Sequence, residues 1–218
     1  MDLFDVKDKC IAITGGAGVL GAAMVRALAS RGAKVAVLDF NLAGAEKLCS
    51  EITAAGGFAV PVKVNVLDQD EVAAACDETL EKLGRLDVLI NAAGGNKKEA
   101  TCIPPESTYF DLDPEAIRWV FDLNCLGTML PCQIFGKHLA SQDSGVIINI
   151  SSMNAFRPLT RIAAYSGAKA AISNFTQWLS TYMCQNHSTN IRVNAIAPGF
   201  FLTDQNRFLL TDEAGDLT

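Results

Sequence analysis

The chain has 218 residues, 50% of them apolar and 19% charged, and a formal net charge of −6. That length buries one sizeable core and fits a single domain over 1–218, and a negative balance with no basic cluster argues against nucleic acid as a partner. No apolar run reaches the roughly 18 residues of a membrane span, and "MDLFDVKDKCIAITGG" lacks the basic start and apolar core of a secretory signal, so a cytoplasmic protein is expected.

Short β-type runs alternate with helical ones. The pattern predicts strands at 10–14, 34–40, 58–66, 86–94, 145–152 and 191–199. Between them it predicts helices at 20–32, 43–57, 69–84, 114–140 and 161–185, with a polar, proline-containing loop at 95–112. The strands are apolar on both faces, which means a parallel sheet covered on both sides. Right-handed crossovers then give an α/β, doubly wound, Rossmann-like fold.

The first strand runs into "TGGAGVLG", 14–21, where Gly16, Gly18 and Gly21 satisfy G-x-G-x-x-G. Glycines there let the backbone approach a pyrophosphate at the positive end of the next helix. Asp39 closes the second strand. A carboxylate at that place accepts bonds from ribose hydroxyls and repels a 2′-phosphate. No lysine or arginine sits in the glycine loop or just after Asp39, so NAD is expected over NADP.

Three further pieces follow later strands: "NAAG" (91–94), "ISS" (150–152), and Tyr165 with Lys169 in "AAYSGAKA". Ligands of open parallel sheets gather outside the C-terminal strand ends, so all three can meet there. Tyr165 and Lys169 share a helix face. An isolated pair of that kind is ordinarily a surface contact. Here the neighbouring cation is expected to favour the phenolate, making Tyr165 a general acid or base, with a serine of "ISS" near enough to bond the substrate oxygen. The seven cysteines show no metal or disulfide spacing and only two histidines exist, so no metal is expected.

These motifs, in this order, resemble the short-chain dehydrogenases/reductases over about 7–205. Ser152 stands thirteen residues before Tyr165, Asn124 matches the helix asparagine, and "PGFFLT" matches P-G-x-x-x-T. The resemblance implies catalysis by Ser152, Tyr165, Lys169 and Asn124, the last holding a proton-relay water. It implies a dinucleotide held by Gly15, Gly16, Gly18, Val19, Leu20 and Gly21; by Asp39, Phe40, Asn65 and Val66; by Asn91, Ala92, Ala93 and Gly94; by Tyr165 and Lys169; and by Pro198, Gly199 and Thr203. Two positions depart from the family pattern. Val19 stands where the middle glycine is usual, with Gly18 one place earlier, and Asn65 replaces an aspartate whose hydrogen bond to adenine its carbonyl can reproduce.

The loops between these motifs are polar. Asn96, Lys97, Asn154, Arg157 and Arg161, with Ser152, are the candidate substrate residues, and arginine suits a carboxylate. "NAAGGNKKEAT" and "ISSMNAFRPLTRIAAYSGAKAAISNFTQWL" are similar to the D-mannonate oxidoreductase (fructuronate reductase) branch of the family. That implies D-fructuronate + NADH ⇌ D-mannonate + NAD, with gluconate 5-dehydrogenase or 3-oxoacyl-thioester reductase activity as alternatives. A dinucleotide-binding protein without turnover is the alternative of another class. Family members usually continue into a lid and a last strand, so an exposed edge at 191–199 is expected. A homotetramer or dimer is expected from the family, with the helices at 114–140 and 161–185 between subunits.

Overall fold

The computed structural model describes residues 5–201. Six strands form one parallel sheet in the order β3-β2-β1-β4-β5-β6. They are β1 (Cys10–Thr14), β2 (Lys34–Asp39), β3 (Phe58–Lys63), β4 (Val88–Asn91), β5 (Gly145–Ile150) and β6 (Ile191–Ile196). The helices are α1 (Val19–Ala29), α2 (Leu42–Ala54), α3 (Gln69–Leu83), α4 (Pro114–Phe121), α5 (Gly127–Ser141) and α6 (Ala163–Asn186). The strand order reverses between β1 and β4, which opens a crevice at their C-terminal ends. The doubly wound reading of the sequence is therefore correct.

Two apolar layers flank the sheet. On one face Ile11, Ile13, Val35 and Val37 pack with Val25 of α1 and Leu48 and Ile52 of α2. On the other, Ala12, Leu38, Leu89 and Ile147 pack with Val72 of α3, Phe135 of α5 and Leu179 of α6. Alternate strand residues serve opposite layers, as the two-residue period requires. α3 is set by Asp68, whose carboxylate accepts from the Asp70 and Glu71 amides, and it closes on Gly84 at φ 77°.

Three expected elements differ. The strand at 58–66 stops at Lys63, because the Asn65 side chain turns the chain by accepting from the Leu67 amide at 3.1 Å. The strand at 86–94 is shorter too, since β4 ends at Asn91. The helix expected over 114–140 is broken by a π turn at Asp122–Leu126. Among the described residues β3 and β6 are the two outer strands of the sheet, and Ile196 of β6 is 48% exposed. Among the described residues no helix is long and apolar enough to cross a membrane.

Candidate active site

β1 ends in a turn made by backbone contact. Gly15 has φ 63°, and a Cβ there would lie 2.8 Å from the Ala93 Cα. A Cβ on Gly21 would lie 2.1 Å from the Gly15 carbonyl oxygen. The start of α1, the glycine turn and the segment after β4 are therefore in direct contact, and side chains at Gly15 or Gly21 would part them. Gly16 is buried beside them and Leu20 half-buried. Gly18 is the α1 N-cap, with no side-chain cap, so the first helical amides face outward where an anion is favoured. Val19 follows it, 58% exposed.

Asp39 supports this turn from β2. Its Oδ2 accepts from the Ala17 amide at 2.9 Å and its Oδ1 from the Asn41 amide at 2.8 Å. Each carboxylate oxygen keeps acceptor capacity, and Phe40 stands exposed beside it. The Asn65 carbonyl already accepts from Leu67, which leaves one lone pair for a base. Val66 is buried next to it.

The segment after β4 is fixed from below. Thr14 Oγ1 accepts from the Ala92 and Ala93 amides at 3.2 and 3.3 Å. Sequence reasoning did not single out Thr14, although it directly precedes the glycine turn. The Asn91 side chain turns under the sheet and donates to Asn149 Oδ1 at 2.9 Å and to Cys132 Sγ at 3.1 Å. The π turn carries Asn124. Its Nδ2 donates to the Gly95 and Val120 carbonyls at 2.7 and 2.8 Å, and its Oδ1 accepts from the Gly95 amide at 3.3 Å. A Cβ on Gly94 would lie 2.7 Å from Asn124 Oδ1 and 3.3 Å from Lys169 Nζ. Glycine at 94 thus lets the loop lie directly over both side chains.

Ser152 ends the β5 segment, 8% exposed, and its hydroxyl accepts from the Asn154 amide at 3.2 Å. Tyr165 lies in the first turn of α6, and its phenol faces the Ser152 hydroxyl. Lys169 is 3% exposed, with Nζ donating to the Ile150 carbonyl at 2.7 Å and lying 5.6 Å from the Tyr165 ring centre. The three side chains that the sequence separates by up to seventeen positions are thus brought together.

Their electrostatics correct one expectation. Burial pushes the Tyr165 phenol above its ordinary value, partly offset by the Ser152 hydrogen bond. The cation does not make the phenol acidic in this setting. Burial instead pushes Lys169 down from 10.5 to about 8, because desolvation disfavours its charged form. Between those two values the unfolded chain holds a proton that the native chain has released. Stability contributed by this group therefore rises with pH across that window. Urea midpoints measured from about pH 7 to about pH 10 are expected to rise in the parent relative to Lys169→Met. Parallel curves would contradict this burial.

The substrate candidates are more dispersed. Asn154 is buried just past Ser152. Asn96 Nδ2 donates to Thr101 Oγ1 at 2.9 Å. Lys97 Nζ lies 4.4 Å from the Trp119 ring centre, so its charge rests on an aromatic face. Arg157 and Arg161 are exposed, and the Arg161 carbonyl accepts from the Cys102 amide, tying the 95–112 loop to α6. The Pro198 carbonyl accepts from the Met153 amide, which joins the end of β6 to the serine turn. Gly199 has open space around its Cα. Thr203 lies outside the described residues. Among the described residues no three His, Cys, Asp or Glu side chains group as a metal site.

The family model for short chain dehydrogenases matches residues 9–214. The chain belongs to the short-chain dehydrogenase family. An uncharacterized oxidoreductase of Haemophilus influenzae is 45% identical, the match covering 98% of this chain and 77% of that protein. The uncharacterized oxidoreductase UxuB of Bacillus subtilis is also 45% identical, over 98% of this chain and 78% of that protein. A solved structure of a candidate D-mannonate oxidoreductase from Haemophilus influenzae, with bound NAD, superposes with a TM-score of 0.89. It is 45% identical, over 98% of this chain and 79% of that one. As a family member this chain is an oxidoreductase of CH–OH groups that uses a nicotinamide dinucleotide.

The site fits such a cofactor. The glycines let the turn, the start of α1 and the segment after β4 close on one another, the α1 N-terminus carries no side-chain cap that would occupy its amides, and the Asp39 oxygens keep acceptor capacity beside the turn.

Proposed function

We propose that this chain reduces the ketone of a small sugar acid, D-fructuronate, to the alcohol of D-mannonate with NADH, and runs the reverse oxidation with NAD. The 45% identity to the NAD-bound candidate D-mannonate oxidoreductase, over nearly the whole chain, carries this reading. Buried Asn154, bonded through its amide to the Ser152 hydroxyl, and the polar character of the loops that carry Asn96, Lys97, Arg157 and Arg161 support it.

In this reading the glycine turn, Gly15 to Gly21, receives the diphosphate. Asp39 receives the adenosine ribose, with Phe40, Asn65 and Val66 at the base. Asn91 to Gly94, Tyr165, Lys169, Pro198, Gly199 and Thr203 border the nicotinamide half. The bound dinucleotide supplies or accepts hydride. Ser152 bonds the substrate oxygen and holds it against Tyr165. The phenol, protonated at neutral pH as tyrosine ordinarily is and pushed further up by burial, donates to the forming alkoxide. Lys169 stands within the same pocket, able to exchange a proton near pH 8. Asn124 holds the Gly94–Gly95 loop over Lys169. Asp39 disfavours a 2′-phosphate, which supports NAD over NADP.

The whole described fold would act as one cofactor-binding domain in the cytoplasm, where its free cysteines stay reduced. Exposed Trp178 and Tyr182, stacked in a row with half-buried Phe175 on α6, support a homo-oligomer.

The test is a turnover screen with NADH and NADPH on D-fructuronate, 5-ketogluconate and an acetoacetyl thioester. Fructuronate reduction with NADH is expected to exceed the others by at least about 10²-fold in kcat/KM, the scale set when a site's polar groups are left unpaired. Preferred turnover of the ketogluconate or the thioester would replace this substrate by that one.

A further inference from the structure

α6 presents an unusual face to the sheet. Ser166, Lys169, Ser173 and Thr176 recur at the three- and four-residue spacing of one helical stripe. An ordinary buried stripe is apolar, yet Ser166, Lys169 and Thr176 are each at most 5% exposed. Three of them, Lys169, Ser173 and Thr176, meet consecutive residues at and just past the end of β5, while the buried Ser166 hydroxyl makes no hydrogen bond. Asn149 Nδ2 donates to Thr176 Oγ1 at 3.0 Å. The Ile150 carbonyl accepts from Lys169 Nζ at 2.7 Å. The Ser151 and Ser173 hydroxyl oxygens lie 2.6 Å apart, and both lie within hydrogen-bond distance of the Lys169 carbonyl, at 3.2 and 3.0 Å. Asn149 is in turn held by Asn91 of β4 at 2.9 Å. Ser152 is the next residue along the same segment.

We propose that Asn149, Ser151, Ser173 and Thr176 are positioning residues. They form a buried ladder that sets the rotation and axial level of α6 against β5, and so the placement of Tyr165 and Lys169 relative to Ser152. Apolar contact is non-directional and would let a helix rest at several nearby levels. Hydrogen bonds have set lengths and angles, so the bonds made at Lys169, Ser173 and Thr176 favour one arrangement of helix on strand. The specificity matters here because a 1 Å misplacement of reacting groups costs about 10²-fold in rate. Residues 149, 150 and 151 meet α6 at positions 176, 169 and 173, so sliding the helix by one turn would break all three contacts. The inference rests on Ser152, Tyr165 and Lys169 being the reacting groups.

Two variants test it. Ser151→Ala with Ser173→Ala removes a whole rung and leaves the Lys169 carbonyl its helical bond. Thr176→Val removes one hydroxyl at constant shape, and Thr176→Ser is its conservative rescue. Three readouts are compared with the parent: thermal unfolding, the Tyr165 phenolate titration, and NADH-dependent reduction of D-fructuronate. The titration is taken as the 295 nm difference between each variant and its Tyr165→Phe counterpart. Both variants are expected to fold cooperatively, to shift the phenolate midpoint, and to lose about tenfold or more in kcat with KM for NADH little changed. Thr176→Ser is expected to restore both. Folded variants with the parent's titration and the parent's kcat would overturn the ladder. So would unfolding of both variants, which would mark these bonds as serving stability alone. A parent inactive on fructuronate would overturn the substrate reading, and the titration would still decide the ladder.

Discussion

Replacing Tyr165 by phenylalanine is expected to lower kcat by about 10²- to 10⁴-fold, the span of a positioned general acid. The ring stays, so packing stays; only the oxygen facing Ser152 goes. NADH affinity is expected to change little, because the glycine turn, Asp39 and the Gly94 loop are untouched. Stopped-flow turnover with NADH fluorescence titration separates the two quantities. A variant that keeps more than about a tenth of the parent rate would mean the proton comes from elsewhere. The phenol's raised pKa adds a direction to this result. At neutral pH it holds its proton and is ready to donate, so reduction is the readier half-reaction. Oxidation needs the phenolate and is expected to gain rate as pH rises.

Gly21→Ala is expected to cost the most at the other end of the crevice. Its Cβ would stand 2.1 Å from the Gly15 carbonyl oxygen, a backbone atom that no side-chain movement can clear. Gly15 cannot retreat, since its own Cα faces Ala93 across the crevice floor. The turn must therefore open, moving the α1 amides away from the diphosphate position. Overpacking of this kind costs about 1–3 kcal/mol of stability, and NADH affinity is expected to fall by about 10²-fold or more. Isothermal titration with circular dichroism reads both. Parent affinity in the folded variant would show that the glycine turn does not hold the dinucleotide.

Much of this was legible in the sequence for a physical reason. Strands apolar on both faces have one common solution, a parallel sheet between helix layers, and the glycine turn, Asp39, Asn91–Gly94, Ser152 and Tyr165 all follow strand ends. Strand ends gave their common side of the sheet, and the family resemblance picked out Ser152 over Ser151 and joined Asn124 to them. What spacing does not carry is contact across the chain. The break in the 114–140 helix depends on the Asn124 amide reaching Gly95, 29 residues away. Lys97 reads as a free pocket cation until Trp119 lies under it. The sign of the Tyr165 and Lys169 shifts depends on how much water burial removes, which no i, i+4 pattern reports. The α6 ladder did have a signal: hydroxyls at 166, 173 and 176 share the stripe of Lys169, where an amphipathic helix ordinarily places leucine or valine.

The most direct test of the acid–base site is the structure of the chain crystallised with NADH. The nicotinamide ring is expected to lie between the Gly94 loop and Tyr165, with its ribose hydroxyls bonded to Tyr165 and Lys169 and the diphosphate on the α1 amides. A dinucleotide seated away from Tyr165, or a Tyr165 hydroxyl turned from both the ring and Ser152, would contradict the account.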